Sequence, residues 1–271
     1  MAKQPHLLVE PGALHDVVLL PGDPGRVDRI AGHCDDSEVV EQNREYKLVN
    51  ATYEGRDLTV CSTGIGSPSA AIAIEELAAV GCETFVRVGT AGALQSGIEI
   101  GDMVVATGAA KDEGTTERYE VKAIPAVPDY GVLSALVDAA EANGERAAAN
   151  GTNSAEQRST DGRAAKPRDD GEAVSRVHVG PVATDDAFYA ETDEYVDAWE
   201  AAGLQCVEME AAAIFSLARR KGLAAGAICT VDGNLVEGTQ KGETDGDELP
   251  EKAKNNVERA IDIALTAATD L

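Results

Sequence analysis

The sequence predicts an α/β fold, a single-domain three-layer αβα sandwich around a central mixed, largely parallel sheet. Strand and helix signals alternate along almost the whole chain, which is the pattern of a layered fold with crossover helices. The 271 residues are 44% hydrophobic, enough for one large core, and no internal stretch resembles a boundary between separate cores. We therefore expect residues 1–271 to form one domain.

The first half of the chain shows a strand–turn–helix pattern twice. "DVVLLPGDPGRVDRIAGHC" predicts an apolar strand, a turn and a helix that begins near Arg26. "RDLTVCSTGIGSPSAAIAIEELAAVG" repeats the plan, with Ser67 as the cap, Pro68 at the first helical position and Gly81 at the end. "FVRVGTAGAL" predicts a strand that runs into a Gly-Thr-Ala-Gly turn, and "GDMVVATGAA" predicts a further strand.

The second half continues the alternation. "DYGVLSALVDAAEANG" predicts an amphipathic helix and "VHVGPVATD" a strand. "CVEMEAAAIFSLARRKG" predicts a helix closed by basic residues and Gly222. "AAGAICTVDG" predicts a buried strand, and "EKAKNNVERAIDIALTAATDL" predicts a terminal helix.

One segment departs from this pattern. Residues 143–176 are polar, rich in Gly, Ser, Asn and Arg, and almost free of large apolar side chains. Such a segment cannot bury enough apolar surface to offset the entropy that is lost on ordering. We predict a disordered surface insertion at 143–176, between a helix and the strand that begins at Val177.

Deletion of residues 151–171 is expected to leave activity and the thermal midpoint nearly unchanged. The segment has too little apolar content to join the core. Thermal denaturation, size-exclusion chromatography and an activity assay of the deleted chain check this expectation. Loss of assembly in the deleted chain would show that the insertion is structural.

The charge of the chain excludes several classes of partner. Against 23 Lys and Arg stand 48 Asp and Glu, a formal net charge of −25 at pH 7. A surface this negative repels nucleic-acid phosphates and anionic membranes, so we expect neither as a partner. Because the acidic residues are spread along the chain, we interpret them as a solvated surface that a high-salt cytoplasm screens, and our hypothesis is a halophilic source.

The cysteines and the N-terminus indicate the compartment. The cysteines are odd in number and free of C-x-x-C spacing, as expected for reduced, mostly buried thiols: Cys34, Cys61, Cys82, Cys206 and Cys229. The N-terminus lacks an apolar region of signal-peptide length, and no apolar run is long enough to span a membrane. We expect a soluble, cytoplasmic protein.

Arg87 lies in the middle of the apolar stretch "FVRVGTAGAL". Burying an unpaired guanidinium is very costly, so Arg87 needs a fixed anion or a carboxylate close by. The carboxylate alternative is a salt bridge with Asp23, which could also orient Arg87 towards an anion.

Three loops favour an anion at the carboxyl ends of strands, where open α/β sheets bind ligands. "PGDPGR" combines backbone exposed at Gly22 with Arg26 at a helix start, and "RVGTAG" supplies Arg87 and the Thr90 hydroxyl. "STGIGSPS" is Gly-rich and precedes a helix N-terminus, whose free N–H groups favour negative charge. Each loop alone is a weak signal, but together they predict a phosphate site.

A second constellation, "VEMEAAAIF", suits a sugar. Glu208 and Glu210 flank Met209 at the start of an apolar helix. A carboxylate accepts two hydroxyl hydrogen bonds while methionine packs on the ring, although one of the two glutamates could simply favour the helix dipole. Upstream, Phe188 and Tyr189 predict a base-stacking platform, with an ordinary core role as the equal alternative.

Taken together, the motifs resemble a known family. "LLPGDPGRV", "NREYK", "CSTGIGSPSAAIAIEELAAVG", "FVRVGTAGALQ", "VEMEAAA" and "ICTVDG" are similar to the nucleoside phosphorylase family of hexameric uridine phosphorylases and bacterial-type purine nucleoside phosphorylases. The likeness covers nearly the whole chain except the insertion. Residues 51–137 look most like uridine phosphorylase, whereas the opening of the chain and the spacing from Phe188 to Glu210 look more like the purine enzymes.

The resemblance implies a reaction and its site. Phosphate attacks a ribonucleoside and gives ribose 1-phosphate and free base, a step of nucleoside salvage or catabolism, with Arg87, Glu210 and Asp232 as catalytic residues. Phosphate would be bound by Gly22, Arg26, Arg87 and Thr90, with Arg44 from a neighbouring subunit. Ribose would be held by Glu208, Met209 and Glu210, with His6 from the neighbour. The base would meet Phe188, Thr192 and Val207.

The resemblance also implies an assembly, a homohexamer of three dimers with shared active sites. Glu45, Ile65 and Ser69 fall where uridine phosphorylases hold a monovalent cation between subunits, which suggests K⁺ here. We expect no other cofactor, since inorganic phosphate is the co-substrate.

Base identity stays open because two positions depart from the family pattern. Thr192 and Glu194 stand where uridine phosphorylases grip uracil with glutamine and arginine. Purine enzymes protonate the leaving base with an aspartate after the "CTV" strand, but gapless alignment places Gly233 there and Asp232 one residue early. A one-residue slip could make Asp232 the general acid, and a turn aspartate is the equal alternative.

Two other functions compete with phosphorolysis. A nucleosidase of the same fold would use water and has no need of three phosphate-binding arginines, yet Arg26, Arg44 and Arg87 are all present. A non-catalytic nucleoside-binding protein is favoured mildly by the altered base pocket, but the intact phosphate and ribose residues argue against it.

Overall fold

The computed structural model describes residues 3–143, 146–149, 176–239 and 251–271. Within these ranges the chain forms ten strands and six α-helices. The strands are β1 (Val17–Leu20), β2 (Asp36–Asn43), β3 (Tyr46–Tyr53), β4 (Arg56–Cys61), β5 (Thr84–Ala93), β6 (Met103–Asp112), β7 (Arg146–Ala149), β8 (Arg176–Asp185), β9 (Cys206–Glu208) and β10 (Ala224–Asn234). The helices are α1 (Pro24–Gly32), α2 (Ser67–Val80), α3 (Tyr130–Ala142), α4 (Asp193–Ala201), α5 (Ala211–Lys221) and α6 (Glu251–Ala268).

The strands form one mixed sheet in the order β10-β6-β8-β9-β5-β1-β4-β3-β2, with β7 on β8. β1 pairs in parallel with β4 and β5, and β10 pairs in parallel with β5. A further β10–β5 pairing closes β5, β10, β6, β8 and β9 into a ring, a feature that the alternation of elements did not predict. The rest of the sheet extends from β5 through the β2–β3–β4 meander.

Two hydrophobic cores lie on opposite faces of this sheet. One contains side chains of α2 and α5, such as Leu77 and Phe215. The other contains side chains of α1, α3 and α6, such as Ile30, Leu136 and Ile261. Helices therefore cover both faces, and the predicted three-layer arrangement around a mixed, largely parallel sheet is confirmed.

The helix termini follow from a few residues. Asp23 caps α1, its carboxylate accepting a hydrogen bond from the Gly25 N–H at 2.9 Å, so the helix begins at Pro24 rather than near Arg26. Gly81 ends α2 with φ of 109°, as predicted, in the left-handed region that glycine tolerates. The prediction that Ser67 caps α2 is wrong, because Gly66 is the capping residue and the Ser67 hydroxyl bonds elsewhere.

Two segments at the centre of the sheet have a different secondary structure from the one predicted. The "GTAGA" stretch is not a turn but the second half of β5, where it pairs with β10 through Ala93. Residues Cys206–Glu208 are not helical but form β9, which pairs with β5 and β8 before α5 begins at Ala211. Both differences arise because long-range strand pairing satisfies the backbone of a segment whose local pattern is ambiguous.

The predicted insertion at 143–176 lies largely outside the described residues. Part of it differs from the prediction, because Arg146–Ala149 forms β7 and pairs in parallel with β8, whose first residue is Arg176. β2 and α4 were not predicted as elements, whereas the strand that "EQNREYKLVN" predicts is present as β3.

Two global expectations can be compared with the structure. All five cysteines are free thiols, four of them buried, as predicted. Over the portion of the chain that the structure describes, none of the helices combines the length and the apolar character needed to cross a bilayer.

Candidate active site

Arg87 occupies the centre of the sheet, in β5 between Leu20 of β1 and Ala227 of β10. Residues alternate across a strand, so Arg87 shares the face of Phe85, which packs into the core of α2 and α5. Its guanidinium pairs with two carboxylates, Nε with Glu208 Oε2 at 2.8 Å and Nη2 with Glu210 Oε2 at 2.6 Å. The prediction that Asp23 is the partner is wrong, because that carboxylate caps α1.

Glu208 ends β9 and binds the start of α5. Its carboxylate accepts hydrogen bonds from the N–H groups of Glu210 and Ala211, both at 2.9 Å. The Thr184 hydroxyl, at the end of β8, donates to Glu208 Oε1 at 2.5 Å and accepts from the Ala212 N–H at 3.0 Å. The sequence-based alternative of a carboxylate at the helix N-terminus therefore holds for Glu208.

Glu210 is the second carboxylate at this helix start. Its Oε1 accepts a hydrogen bond from the Gly66 N–H at 2.5 Å, which joins the loop before α2 to α5. Burial raises the pKa of Glu210, and the Arg87 guanidinium opposes that rise. Glu208 and Glu210 in turn raise the pKa of Arg87, which burial alone would lower.

Arg26, in the first turn of α1, lies close to this cluster and is only 8% exposed. Its Nη1 donates to the Val88 carbonyl at 3.1 Å, while its buried Nε has no hydrogen-bond partner among the described residues. Burial and the neighbouring Arg87 lower the pKa of Arg26. An unsatisfied buried guanidinium N–H beside a second arginine is a cost that a bound anion would remove.

Two glycines shape the surroundings of Arg87 and of the predicted anion loops. A Cβ on Gly89 would lie 2.8 Å from Arg87 Cζ, so a larger residue there would displace the guanidinium. Gly22, in the loop after β1, accepts a hydrogen bond from the Gly64 N–H at 3.0 Å, which brings two of the three predicted anion loops into contact. Thr90 follows in β5, beside Thr230 of β10, and is half-buried.

Of the residues predicted for the sugar and the base, Val207 and Met209 directly precede α5, whereas Phe188 and Thr192 lie on the segment between β8 and α4. Met209, between the two glutamates, is half-buried, and its carbonyl accepts a hydrogen bond from the Ser67 hydroxyl at 3.1 Å. Val207 is buried in β9, and Thr192 is exposed at the start of α4. Phe188 and Tyr189 are 39% and 99% exposed and meet edge to face, so the alternative of an ordinary core role is wrong for both.

Asp232 lies at an irregularity of β10. The pairing with β5 shifts between Val231 and Gly233, so Asp232 is the extra residue of a bulge. Such a bulge provides the kind of one-residue slip that the general-acid role requires, and Asp232 is buried there. The role itself stays a prediction.

The two residues predicted to serve a neighbouring subunit lie at the periphery. Arg44 is exposed at the tip of the β2–β3 hairpin, with φ of 55°, a left-handed conformation that a non-glycine residue rarely adopts. His6 is held on α2, where its Nδ1 lies 2.6 Å from Glu76 Oε1 and its backbone N–H donates to the same carboxylate. Their reach into a second chain stays a prediction.

Two of the three predicted cation ligands converge. The Ser69 hydroxyl donates to Glu45 Oε1 at 3.0 Å and lies 2.5 Å from the Thr63 carbonyl. These oxygens are of the type that a monovalent cation takes, so Glu45 and Ser69 fit the group, whereas the Ile65 side chain is exposed and apolar. The described ranges contain no group of three or more His, Cys, Asp or Glu residues suited to a metal ion.

Two residues that contact predicted site residues, Thr184 at Glu208 and Glu76 at His6, were not predicted. Thr184 follows an alternating strand pattern and could have been noticed as a hydroxyl at a strand end. Glu76 lies in the middle of α2, 70 residues from His6, and no local signal connects the two.

Comparisons with known proteins identify the family of the chain. A family model described as "Phosphorylase superfamily" matches residues 16–269. The chain is 62% identical over 271 residues to a guanosine phosphorylase of Halorubrum lacusprofundi, with 100% of both chains covered. A crystal structure of uridine phosphorylase from Vibrio fischeri matches with a TM-score of 0.80 at 30% identity, over 100% of this chain and 98% of that one. Purine nucleoside phosphorylase from Toxoplasma gondii, in complex with immucillin-H, matches with a TM-score of 0.81 at 27% identity, over 99% and 96%.

Proposed function

Because the chain belongs to the phosphorylase superfamily and is a nucleoside phosphorylase, we propose that its substrates are inorganic phosphate and a purine ribonucleoside, with guanosine preferred. The observation that carries the phosphate site is the Arg26–Arg87 pair. Two guanidinium groups lie together inside the protein, and Arg26 Nε has no partner among the described residues. A phosphate oxygen would satisfy that donor and offset the repulsion between the two cations.

Three of the five N–H donors of Arg87 remain for phosphate after its pairs with Glu208 and Glu210. Thr90 and Gly22, on the adjoining strand end and loop, complete the set within one chain. The neighbouring subunit adds Arg44.

The reaction transfers the ribosyl group from base to phosphate. A phosphate oxygen forms a bond to the anomeric carbon as the bond from that carbon to the base nitrogen breaks, and the bonding pair leaves with the base. Positive charge develops on the sugar in the transition state, beside anionic phosphate and the Glu210 carboxylate. Glu210 and Met209 hold the ribose, and Asp232 gives its proton to the departing base.

The choice of a purine has two supports. The relative that is 62% identical over the whole chain is a guanosine phosphorylase. Thr192 and Glu194 stand where the uracil clamp of uridine phosphorylases would be, so that clamp is missing in its usual form. Phe188 is 39% exposed and would offer a stacking surface for the base.

The active unit is proposed to be a homohexamer of three dimers, with His6 and Arg44 entering the neighbour's site. We place it in the cytoplasm, in nucleoside salvage, with K⁺ bound near Glu45 and Ser69. No cofactor takes part in the chemistry.

A panel of guanosine, inosine, adenosine and uridine, each incubated with and without inorganic phosphate, tests the proposal. Guanosine is expected to give the highest kcat/KM, and base release should require phosphate and yield ribose 1-phosphate in equal amount. Base release that proceeds at full rate without phosphate would identify a nucleosidase. A preference for uridine would contradict the purine assignment, and binding without turnover would contradict the enzyme.

A further inference from the structure

The carboxylate of Glu208 is enclosed by protein donors. Its side chain has 0% exposed surface. The donors to its two oxygens are Arg87 Nε, the Thr184 hydroxyl and the N–H groups of Glu210 and Ala211, and the Ala211 N–H reaches both oxygens. An ionised carboxylate offers about four acceptor positions, so these contacts leave no position for a ribose hydroxyl.

Glu210 differs from Glu208 in this respect. Its Oε1 accepts from the Gly66 N–H and its Oε2 pairs with Arg87 Nη2, and the Met209 backbone also interacts with this carboxylate. It therefore keeps acceptor capacity for a sugar hydroxyl, which Glu208 does not. The two glutamates of "VEMEAAA" therefore differ in their capacity to bind a sugar hydroxyl.

We propose that Glu208 is a positioning residue for Arg87 and not a ribose ligand, and that Thr184 positions Glu208 in turn. This inference rests on the proposed phosphate site at Arg26 and Arg87. It assigns a role to Thr184 in the same step, because the Thr184 hydroxyl joins Glu208 to the Ala212 N–H of α5.

The physical reason lies in how a guanidinium can pair. Glu208 takes Nε of Arg87, and Glu210 takes Nη2. Without the bond at Nε the guanidinium could turn and pair with Glu210 through two parallel N–H groups, which is the favoured geometry of arginine with a carboxylate. That pairing would withdraw both Arg87 from phosphate and Glu210 from ribose. Glu208 prevents it by holding one edge of the fork.

The test uses Glu208→Gln, with phosphate and nucleoside binding measured separately by calorimetry on the full chain. We expect the Kd for inorganic phosphate to rise about tenfold, or about 1.4 kcal/mol. The amide carries no charge, and its NH2 group faces donors in place of one acceptor oxygen, so Arg87 is held less firmly. The preference for a ribonucleoside over its 2′-deoxy analogue, as a ratio of kcat/KM values, should stay within about twofold, whereas Glu210→Gln should change that ratio. Calorimetry measures phosphate binding in the absence of nucleoside, so it gives a result even if the protein turns over no nucleoside. Failure of this inference and failure of the proposed function are therefore distinguishable.

A double-mutant cycle shows whether Glu208 acts through Arg87. In the Arg87→Ala background, Glu208→Gln should have little further effect on residual kcat/KM for phosphate, because the group that it positions is gone. Three results would each overturn the proposal. They are a full additional loss of kcat/KM in the Arg87→Ala background, a changed ratio of ribonucleoside to 2′-deoxyribonucleoside kcat/KM in Glu208→Gln, and an unchanged phosphate Kd in Glu208→Gln.

Two further variants keep the test decisive if Glu208→Gln folds poorly. Thr184→Val removes only the hydroxyl, and we expect weaker phosphate binding that Thr184→Ser largely restores. Glu120→Gln is the matched control, because Glu120 is a carboxylate with 2% exposed side chain that pairs with Lys111 and Arg219. Arg219 lies roughly 12 Å along α5 from Ala211, so this variant should lose stability without a change in the phosphate Kd.

Discussion

Arg87→Ala is expected to remove most phosphate-dependent turnover, with kcat/KM for phosphate falling roughly 10²–10³-fold and a measurable residual activity remaining. The substitution deletes the buried guanidinium between β1 and β10 that would meet the attacking phosphate. Steady-state kinetics at varied phosphate concentration measure the loss. A variant that retains near-parental phosphorolysis would remove Arg87 from the phosphate site.

Arg87→Ala also removes the counter-charge of two buried carboxylates, so its stability has to be measured beside its activity. Leaving Glu208 and Glu210 uncompensated is expected to cost about 3–5 kcal/mol of unfolding free energy. Burial already raises the pKa of Glu210, and loss of Arg87 raises it further, so the deficit should shrink as the pH falls and the carboxyl takes up a proton. Assays are therefore made at a pH where thermal denaturation shows the variant folded.

Arg87→Lys is the conservative control. Lysine keeps one positive charge, but its single nitrogen cannot replace the separate contacts of Nε with Glu208 and Nη2 with Glu210 and still face an anion. We expect Arg87→Lys to recover much of the stability and little of the activity. Recovery of both would mean that charge alone is needed at this position.

The fold was accessible from the sequence because its signals are local and repeated. The helix ends at Gly81 and Gly222 follow from left-handed glycines after apolar periodic segments, and both were predicted. Cys206–Glu208 was assigned to a helix because three residues carry no period of their own, and only pairing with β5 and β8 makes them a strand.

The candidate site was only partly accessible from the sequence, for a similar reason. An arginine in an apolar strand predicts a charged partner, but the partner of Arg87 is Glu208, which is 121 residues away in the sequence. Asp23, the carboxylate that the sequence offers as a partner, instead accepts a hydrogen bond from the Gly25 N–H. Residue type thus predicted that Arg87 is paired, whereas the identity of the pair depends on which strands are neighbours.

Restoration of activity by mixing two inactive chains is the second expected result. Arg44 is exposed at a hairpin tip, and Arg87 is buried in the sheet. If Arg44 serves the neighbour's site, a dimer of one Arg44→Ala chain and one Arg87→Ala chain contains one site with both defects and one with neither. For random exchange of equal amounts, roughly a quarter of all sites would be intact, by the symmetry of an isologous pair.

A control mixture tests whether the recovered activity comes from sites shared between two chains. Arg26 and Arg87 belong to the same chain and the same proposed site. Burial and the neighbouring Arg87 guanidinium lower the pKa of Arg26 there. Mixing Arg26→Ala with Arg87→Ala therefore gives dimers in which every site carries a defect, and no activity should return. Subunit exchange is verified with labelled chains at high salt, because repulsion between chains of net charge −25 would otherwise favour dissociation. Mixed Arg44→Ala and Arg87→Ala chains that exchange subunits and stay inactive would show that Arg44 does not act across a dimer.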